Sequence, residues 1–264
     1  MNDYVFHSDT ILFKHERTPA PPTDTYSMHT HDMYELIYFL SGDATHVIED
    51  RKYKLKKGDL ILIRPMHYHF IQIDSPVDYE RYDFLFDPEK HHLQAAALLP
   101  AETEVFNLTD NAMAHDIFRR LDLYRETATP EVFQALLSHL LSELFCNLNI
   151  FFNRRTEEGA HLSPMISKAL HYINENLTTI RDIDELAEHL FVSKSYLFRL
   201  FRSELYQTPK KYIMDKRLLL AKGKLANGEK PNAVFEQCGF SDYTTFYRNY
   251  LSFFGYPPSA ESTY

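Results

Sequence analysis

Leu186-Ala187-Glu188-His189-Leu190-Phe191-Val192-Ser193, then Tyr196-Leu197-Phe198-Arg199-Leu200-Phe201, is answered about 48 residues later by a second string of the same design. That second string is Val234-Phe235-Glu236-Gln237-Cys238-Gly239-Phe240-Ser241, then Phe246-Tyr247-Arg248-Asn249-Tyr250. Ala187 aligns with Phe235, Ser193 with Ser241, Arg199 with Arg248, and Thr208-Pro209 with Pro257-Pro258. Each copy reads as a helix, a tight turn and a second helix, the helix-turn-helix arrangement that lays its second helix in a major groove. Two copies offer two helices to a duplex.

In the first copy Ile183, Leu186, Ala187 and Leu190 form the inner face of the first helix, and Leu197, Leu200 and Phe201 that of the second. Ser193 is placed to cap the second helix. Lys194, Ser195, Tyr196, Phe198, Arg199 and Arg202 are left facing outward or flanking. In the second copy Gly239 stands at the turn, Ser241 is read as the cap, and Phe246 and Tyr250 point inward. Asp242, Tyr243, Thr244, Tyr247 and Arg248 are then the groove candidates. Arginine forks onto guanine, and lysine meets phosphate. Between the copies, Pro209 opens a connecting helix that Asn227-Gly228 ends.

The whole chain, 264 residues with a net charge of -9, looks too acidic for such a role, but the charge is unevenly shared. Residues 1–162 hold 15 Lys/Arg against 26 Asp/Glu, whereas residues 163–264 hold 13 against 11. The acidic part is repelled by phosphate and is expected to do something else. No run of about eighteen apolar residues suggests a membrane span, and Met1-Asn2-Asp3-Tyr4 does not open a signal peptide. Cys146 and Cys238 read as two reduced core thiols of a cytoplasmic protein.

The N-terminal part is strand-like. Tyr34–Phe39, Thr45–Ile48, Tyr53–Leu55, Leu60–Ile63, Phe70–Ile73 and Tyr82–Phe86 are rich in β-branched and aromatic residues and are divided by turn signals. Such spacing predicts a sandwich or a small barrel. After Asp87 the pattern becomes helical. One helix starts at Asp110 or Asn111, and a longer one has Thr129 as N-cap and Pro130 at its first position. Residues 153–162, polar and containing glycine, read as a linker.

The C-terminal strings resemble the DNA-binding domain of the AraC/XylS family of transcriptional regulators. The likeness rests on Leu186-Ala187…Val192-Ser193…Leu197-x-Arg199-x-Phe201, Arg217…Ala221, Gly239-Phe240-Ser241, Phe246-x-Arg248 and Gly255…Pro258. It implies that Ser195, Phe198 and Arg199 read one major-groove segment and Thr244, Tyr247 and Arg248 the next, about 34 Å away. Three positions depart from the family pattern. Phe235 replaces an alanine, and Phe191 and Tyr206 replace frequent glycines.

Nearer the N-terminus, His29-Thr30-His31-Asp32-Met33-Tyr34-Glu35 followed by Gly42 resembles the first cupin motif, and Gly58-Asp59…Pro65…His69 a shortened second one. In cupin metal enzymes such residues hold one divalent metal, whereas in the regulators they often survive as polar pocket residues. Both readings stay open: an effector pocket of His29, His31, Glu35, Tyr38 and His69, or a divalent metal on His29, His31, Glu35 and His69. His46, His67, His91 and His92 read as surface or loop residues.

The expectation is therefore an α+β chain. Residues 1–152 form a cupin-like β-barrel with a helical appendage, 153–162 a linker, and 163–264 an all-α domain with two helix-turn-helix units. By resemblance it is a homodimeric regulator, an activator that contacts RNA polymerase and answers to a small molecule such as a sugar. Two alternatives stand beside it: a cupin-type metal-dependent enzyme with a helical appendage, and an interaction protein that uses the same helices on protein partners.

Overall fold

The computed structural model describes residues 4–8, 10–22, 25, 26, 28–88, 90, 91, 93–100, 103–151 and 160–263. The chain divides into two compact units, the first of residues 1–26, 33–48 and 52–160 and the second of residues 27–32, 49–51 and 161–264. The secondary structure is α+β, strands first and helices after. Most of the predicted linker, residues 153–159, lies outside the described residues, as does His92.

In the first unit the strands are β1 (Tyr4–His7), β2 (Ile11–Thr18), β3 (Tyr34–Ser41), β4 (Ala44–Ile48), β5 (Arg51–Lys54), β6 (Asp59–Ile63), β7 (His69–Ile73), β8 (Tyr79–Phe86) and β9 (Val105–Asn107). One sheet runs β1-β2-β8-β3-β6-β9, and in a second sheet β4 lies between β5 and β7. The expected barrel is not closed: among the described residues the strands fall into two separate sheets. Their facing sides share one core of Ile37, Phe39, Ala44, Ile48, Ile61, Ile63, Ile71, Ile73 and Tyr79.

The outer side of the larger sheet is covered by α1 (Gln94–Ala97), α2 (Ala112–Thr127) and α3 (Pro130–Ile150). Leu36, Leu60, Leu62, Phe84 and Phe86 meet Phe118, Leu121, Phe133, Leu137, Leu141 and Leu144 there. This explains why Leu60-Ile61-Leu62-Ile63 is apolar without alternation, since a central strand with both faces covered has no wet side. Asn111 caps α2, its side chain accepting from Ala114 N at 3.0 Å. Thr129 holds the cap position of α3 but makes no side-chain capping bond to the helix. Four strands escaped the sequence reading, one of them the short Ala160–His161 inside the segment read as the linker. β1 and β2 lie in a segment read only as generally strand-like, and β9 is too short to show alternation.

In the second unit α4 (Pro164–Glu175) precedes the pair α5 (Ile183–His189) and α6 (Lys194–Leu205). The central helix α7 (Pro209–Ala226) leads to the pair α8 (Pro231–Gln237) and α9 (Tyr243–Phe254), and a 3-10 turn at Pro258–Thr263 follows. The first pair buries Ile183, Leu186, Ala187, Leu197, Phe201 and Leu205. The second closes on Leu218, Ala221, Leu225, Val234, Cys238, Phe240, Phe246 and Tyr250. Tyr250 OH donates to Glu261 Oε2, which ties the terminal turn to α9.

The repeat extends to the backbone. Phe191 N bonds Glu188 O and Val192 N bonds Ala187 O, while 48 residues on Gly239 N bonds Glu236 O and Phe240 N bonds Phe235 O. The turn residues Phe191 (φ 55°) and Gly239 (φ 80°) are both left-handed, as are the residues ending the second helices, Tyr206 (φ 54°) and Gly255 (φ 81°). Phe191 and Tyr206 therefore hold a backbone shape that costs a side-chain-bearing residue about 1–2 kcal/mol. Phe191 is also 95% exposed. Phe191→Gly is expected to stabilise the second unit by about 0.5–1 kcal/mol, read as a higher midpoint in thermal or denaturant melts.

One cap differs from expectation. Asp242, not Ser241, caps α9, its carboxylate accepting from Thr245 N at 2.7 Å. That hydrogen bond holds the Asp242 carboxyl below the usual carboxylate range. The first copy caps with Ser193, which accepts from Tyr196 N at 3.2 Å. The second turn is thus one residue longer, and the offset passes from 48 before the cap to 49 after it. The cysteine reading also needs amending: Cys238 is buried, but Cys146 is exposed.

Candidate DNA interface and ligand site

Helix α6 exposes one coherent face. Lys194, Ser195, Phe198, Arg199, Arg202 and Ser203 line a shallow groove along it. Lys194, Ser195, Arg199 and Arg202 are exposed, and Phe198 is half-buried. The cause is the apolar spacing. Leu197, Phe201 and Leu205 occupy the inner stripe, which leaves these residues on the outer one. Tyr196 is half-buried and sits beneath Arg199, whose Cζ stands 5.5 Å from the ring centroid. It supports the arginine more than it offers itself to a duplex. Lys194 pairs with Asp184 at 2.7 Å, on an exposed surface where such a pair is worth little.

On α9 Thr244, Tyr247 and Arg248 are exposed. Tyr243 is half-buried and packs edge-on against Phe235, ring centroids 5.7 Å apart. The bulky Phe235 is thus taken up at the rim of the second core, at the cost of engaging Tyr243. Asp242, named from sequence as a groove candidate, is the helix cap, and its negative charge is the wrong sign for phosphate. Thr244, Tyr247 and Arg248 are thus the exposed candidates on α9 that neither cap the helix nor pack against Phe235.

In the first unit strand alternation sorts the polar candidates. Glu35 shares its side of β3 with Ile37 and Phe39, toward the space between the sheets, whereas Tyr38 faces the helices. The Tyr38 ring stacks on Phe118 with centroids 3.9 Å apart, and its hydroxyl lies 3.3 Å from His115 Nδ1. Tyr38 is therefore removed from the expected pocket. Its even number against the odd number of Glu35 is what a period of two demands.

Of the four histidine and carboxylate candidates, Glu35 and His69 are brought together in the first unit, whereas His29 and His31 belong to the second. Glu35 Oε2 stands 2.8 Å from His69 Nε2, and both side chains are buried. His69 Nδ1 lies 3.1 Å from His67 O. The His29 and His31 rings are 5.9 Å apart.

Two further polar residues line the same interior: His46, expected at the surface or in a loop, and Asp83, which the sequence reading did not single out. His46 is fully buried with its ring 6.0 Å from that of His69. Asp83 is buried on β8 and hydrogen-bonds Glu35; burial and that neighbouring carboxylate push its carboxyl up to about 8. Arg81, also inward on β8, donates to Glu16 Oε2 at 2.8 Å and to Tyr26 OH at 3.1 Å. The alternation Tyr79, Arg81, Asp83 was the available signal, masked by the apolar residues between. His91, expected at the surface, is buried and bonds Ser138 Oγ at 2.8 Å.

Comparison with known proteins matches both halves. The family described as AraC-like ligand binding domain matches residues 18–145, and the family described as helix-turn-helix domain matches residues 186–262. The HTH-type transcriptional activator RhaR of Cronobacter sakazakii (strain ATCC BAA-894) is 27% identical over 241 residues, covering 85% of this chain and 82% of its own. The RhaR of Yersinia pseudotuberculosis serotype O:1b (strain IP 31758) is 25% identical over 236 residues, covering 85% and 80%. Among solved structures, unsaturated fatty acid bound wild-type ToxT from Vibrio cholerae strain SCE256 aligns over 96% of this chain and 94% of its own, at 14% identity and a TM-score of 0.41. Both matched domains are those of regulators, and the alternative of a metal-dependent enzyme falls with them. The chain belongs to the AraC-type family of transcriptional regulators, in which a ligand-binding domain is joined to a helix-turn-helix domain that binds DNA.

Proposed function

We propose that this regulator is an activator that binds its operator as a homodimer and contacts RNA polymerase there. Its two recognition helices read successive major-groove segments on one side of the duplex. Ser195, Phe198 and Arg199 read bases in the first segment, and Lys194 and Arg202 hold phosphates. Thr244, Tyr247 and Arg248 serve the second segment. The observation that carries this reading is the single exposed face of α6, on which four of the five first-segment residues are exposed and Phe198 is half-buried. The names of the relatives, transcriptional activators, support activation over repression.

Residues 1–152 form the sensing and dimerising part, 153–162 the linker and 163–264 the DNA-binding part. A small polar molecule, a sugar among the candidates, binds between the two sheets near Glu35 and His69. Among the described residues no helix is long and apolar enough to cross a membrane, which supports a cytoplasmic location.

Phosphate contacts are tested by salt. The logarithm of affinity falls linearly with the logarithm of salt concentration, with a slope set by the number of phosphates neutralised. Arg202→Ala is expected to make that slope shallower by about 1 and to weaken all sequences alike. An unchanged slope, measured by fluorescence anisotropy on a labelled duplex, removes Arg202 from the interface.

A further inference from the structure

We infer that Glu49 and Asp32 are positioning residues for DNA reading, each bracing one recognition helix from behind. Both belong to the second compact unit, although they stand far upstream of its helices in the sequence. The inference rests on the reading that α6 and α9 each read one box of the operator, and it deepens it by naming what holds each helix in place.

The first brace stands behind α6. Phe201 lies on the inner stripe of that helix, away from the face that carries Ser195, Phe198 and Arg199. Its ring meets Tyr212 of α7 edge-on, with centroids 6.2 Å apart, and both residues are fully buried. The Tyr212 hydroxyl donates to Glu49 Oε2 at 2.8 Å. One turn along α7, Lys216 Nζ donates to Glu49 Oε1 at 2.7 Å. One carboxylate thus fixes both the ring behind α6 and an ammonium on a residue only 7% exposed. A buried ammonium needs such a partner, and removing the partner leaves an uncompensated charge.

The second brace stands behind α9. Lys222 Nζ pairs with Asp32 Oδ2 at 2.8 Å. The same ammonium lies 5.0 Å from the ring centroid of Phe254 and 5.9 Å from that of Tyr256, within reach of a cation–π attraction. Phe254 ends α9, and its ring centroid is 4.5 Å from that of Tyr250 on the inner face of the helix. Asp32 therefore holds the cation against which the end of the second recognition helix rests. Its side chain is 41% exposed, so this brace is the weaker of the two.

The two braces share no residue. Tyr212 and Lys216 lie on the first half of α7, beside the first pair, and Lys222 on the second half, beside the second. Changes at sites without shared partners act independently. Each carboxylate is therefore expected to govern one box, whereas a general loss of stability would weaken both.

The test uses full-length protein with two readouts. The first is affinity for the site selected by the wild type and for the same site with either box scrambled. Glu49→Gln is expected to reduce discrimination at the α6 box by about 10-fold, the worth of a hydrogen bond to a charged group, and to leave the α9 box unchanged. Asp32→Asn is expected to reduce discrimination at the α9 box by about 3-fold, as befits an exposed pair, and Asp32→Glu, which keeps the carboxylate, to restore it. The second readout is amide hydrogen exchange without DNA. It is expected to quicken in α6 for Glu49→Gln and in α9 for Asp32→Asn, with the other helix unchanged. Variants that weaken both boxes equally, or neither, overturn the inference. So does exchange that quickens in both helices together or in neither. Wild-type protein that discriminates neither box overturns the two-box reading instead, and exchange then still decides whether each carboxylate braces its own helix.

Discussion

Arg199→Ala is expected to weaken binding to the preferred operator by about 1–3 kcal/mol, or roughly 5- to 150-fold, while leaving binding to unrelated duplex much less affected. The size follows from what the side chain is placed to do. A guanidinium that forks onto guanine O6 and N7 makes two hydrogen bonds that no other base pair satisfies. Arg199 stands in the middle of the exposed face of α6, flanked by Ser195, Phe198 and Arg202. The Tyr196 ring beneath it limits its freedom before DNA arrives, which reduces the ordering cost on binding. Arg199→Lys should recover general affinity but not discrimination, because an ammonium lacks the planar fork. The measurement is a competition of the preferred site against single-base variants. Equal loss across all sequences would reassign Arg199 to the phosphates.

Gly239→Ala is expected to destabilise the second unit by about 2–4 kcal/mol. The position has φ +80°, which an alanine adopts only under strain. There is also no room. A Cβ placed there would stand 2.6 Å from Thr178 O and 2.9 Å from Arg217 Cζ. Neither neighbour is free to give way. Arg217 Nε donates to Leu177 O at 2.8 Å, and its terminal nitrogen to Ile180 O at 2.5 Å. Gly239 thus lets the turn of the second pair lie against the segment that leads into the first, with Arg217 of the central helix as the clamp. Arg217 and Gly239-Phe240-Ser241, which stood out in the sequence as separate motifs, are parts of one contact. Chemical denaturation of the variant should show a lower midpoint, and its binding to the second operator half should fail first. A midpoint equal to the wild type would mean that the turn adjusts at little cost.

The DNA-binding half was legible because its information is local. Helix spacing, a left-handed turn residue and a side-chain cap all lie within about twenty residues, and each is written twice. Its misplaced cap, Ser241 for Asp242, came from carrying the 48-residue offset through a turn that is one residue longer in the second copy. In the first half the strands were legible from β-branched and aromatic runs, but their pairing was not. Closure depends on hydrogen bonds between distant strands, and nothing in the order of residues distinguishes two facing sheets from a closed barrel. The Glu35–His69 pair was visible because each residue stands in a string that resembles a cupin motif. The inward places of His46, read as a surface or loop residue, and of Asp83 were not, because only pairing of β4 with β7 and of β3 with β8 carries them toward Glu35 and His69. Tyr38 was misplaced for want of applying the alternation already used for the histidines.

The central claim is that two recognition helices, one in each copy of the repeat, read one DNA site. Selection of the full-length protein on a randomised duplex pool at physiological salt, followed by sequencing, tests it most directly. The account predicts enrichment of a site with two boxes about one helical turn, 10–10.5 base pairs, apart, with Arg199→Ala losing preference in one box and Arg248→Ala in the other. Binding without any enriched sequence, or enrichment of a single box that neither variant alters, would contradict it.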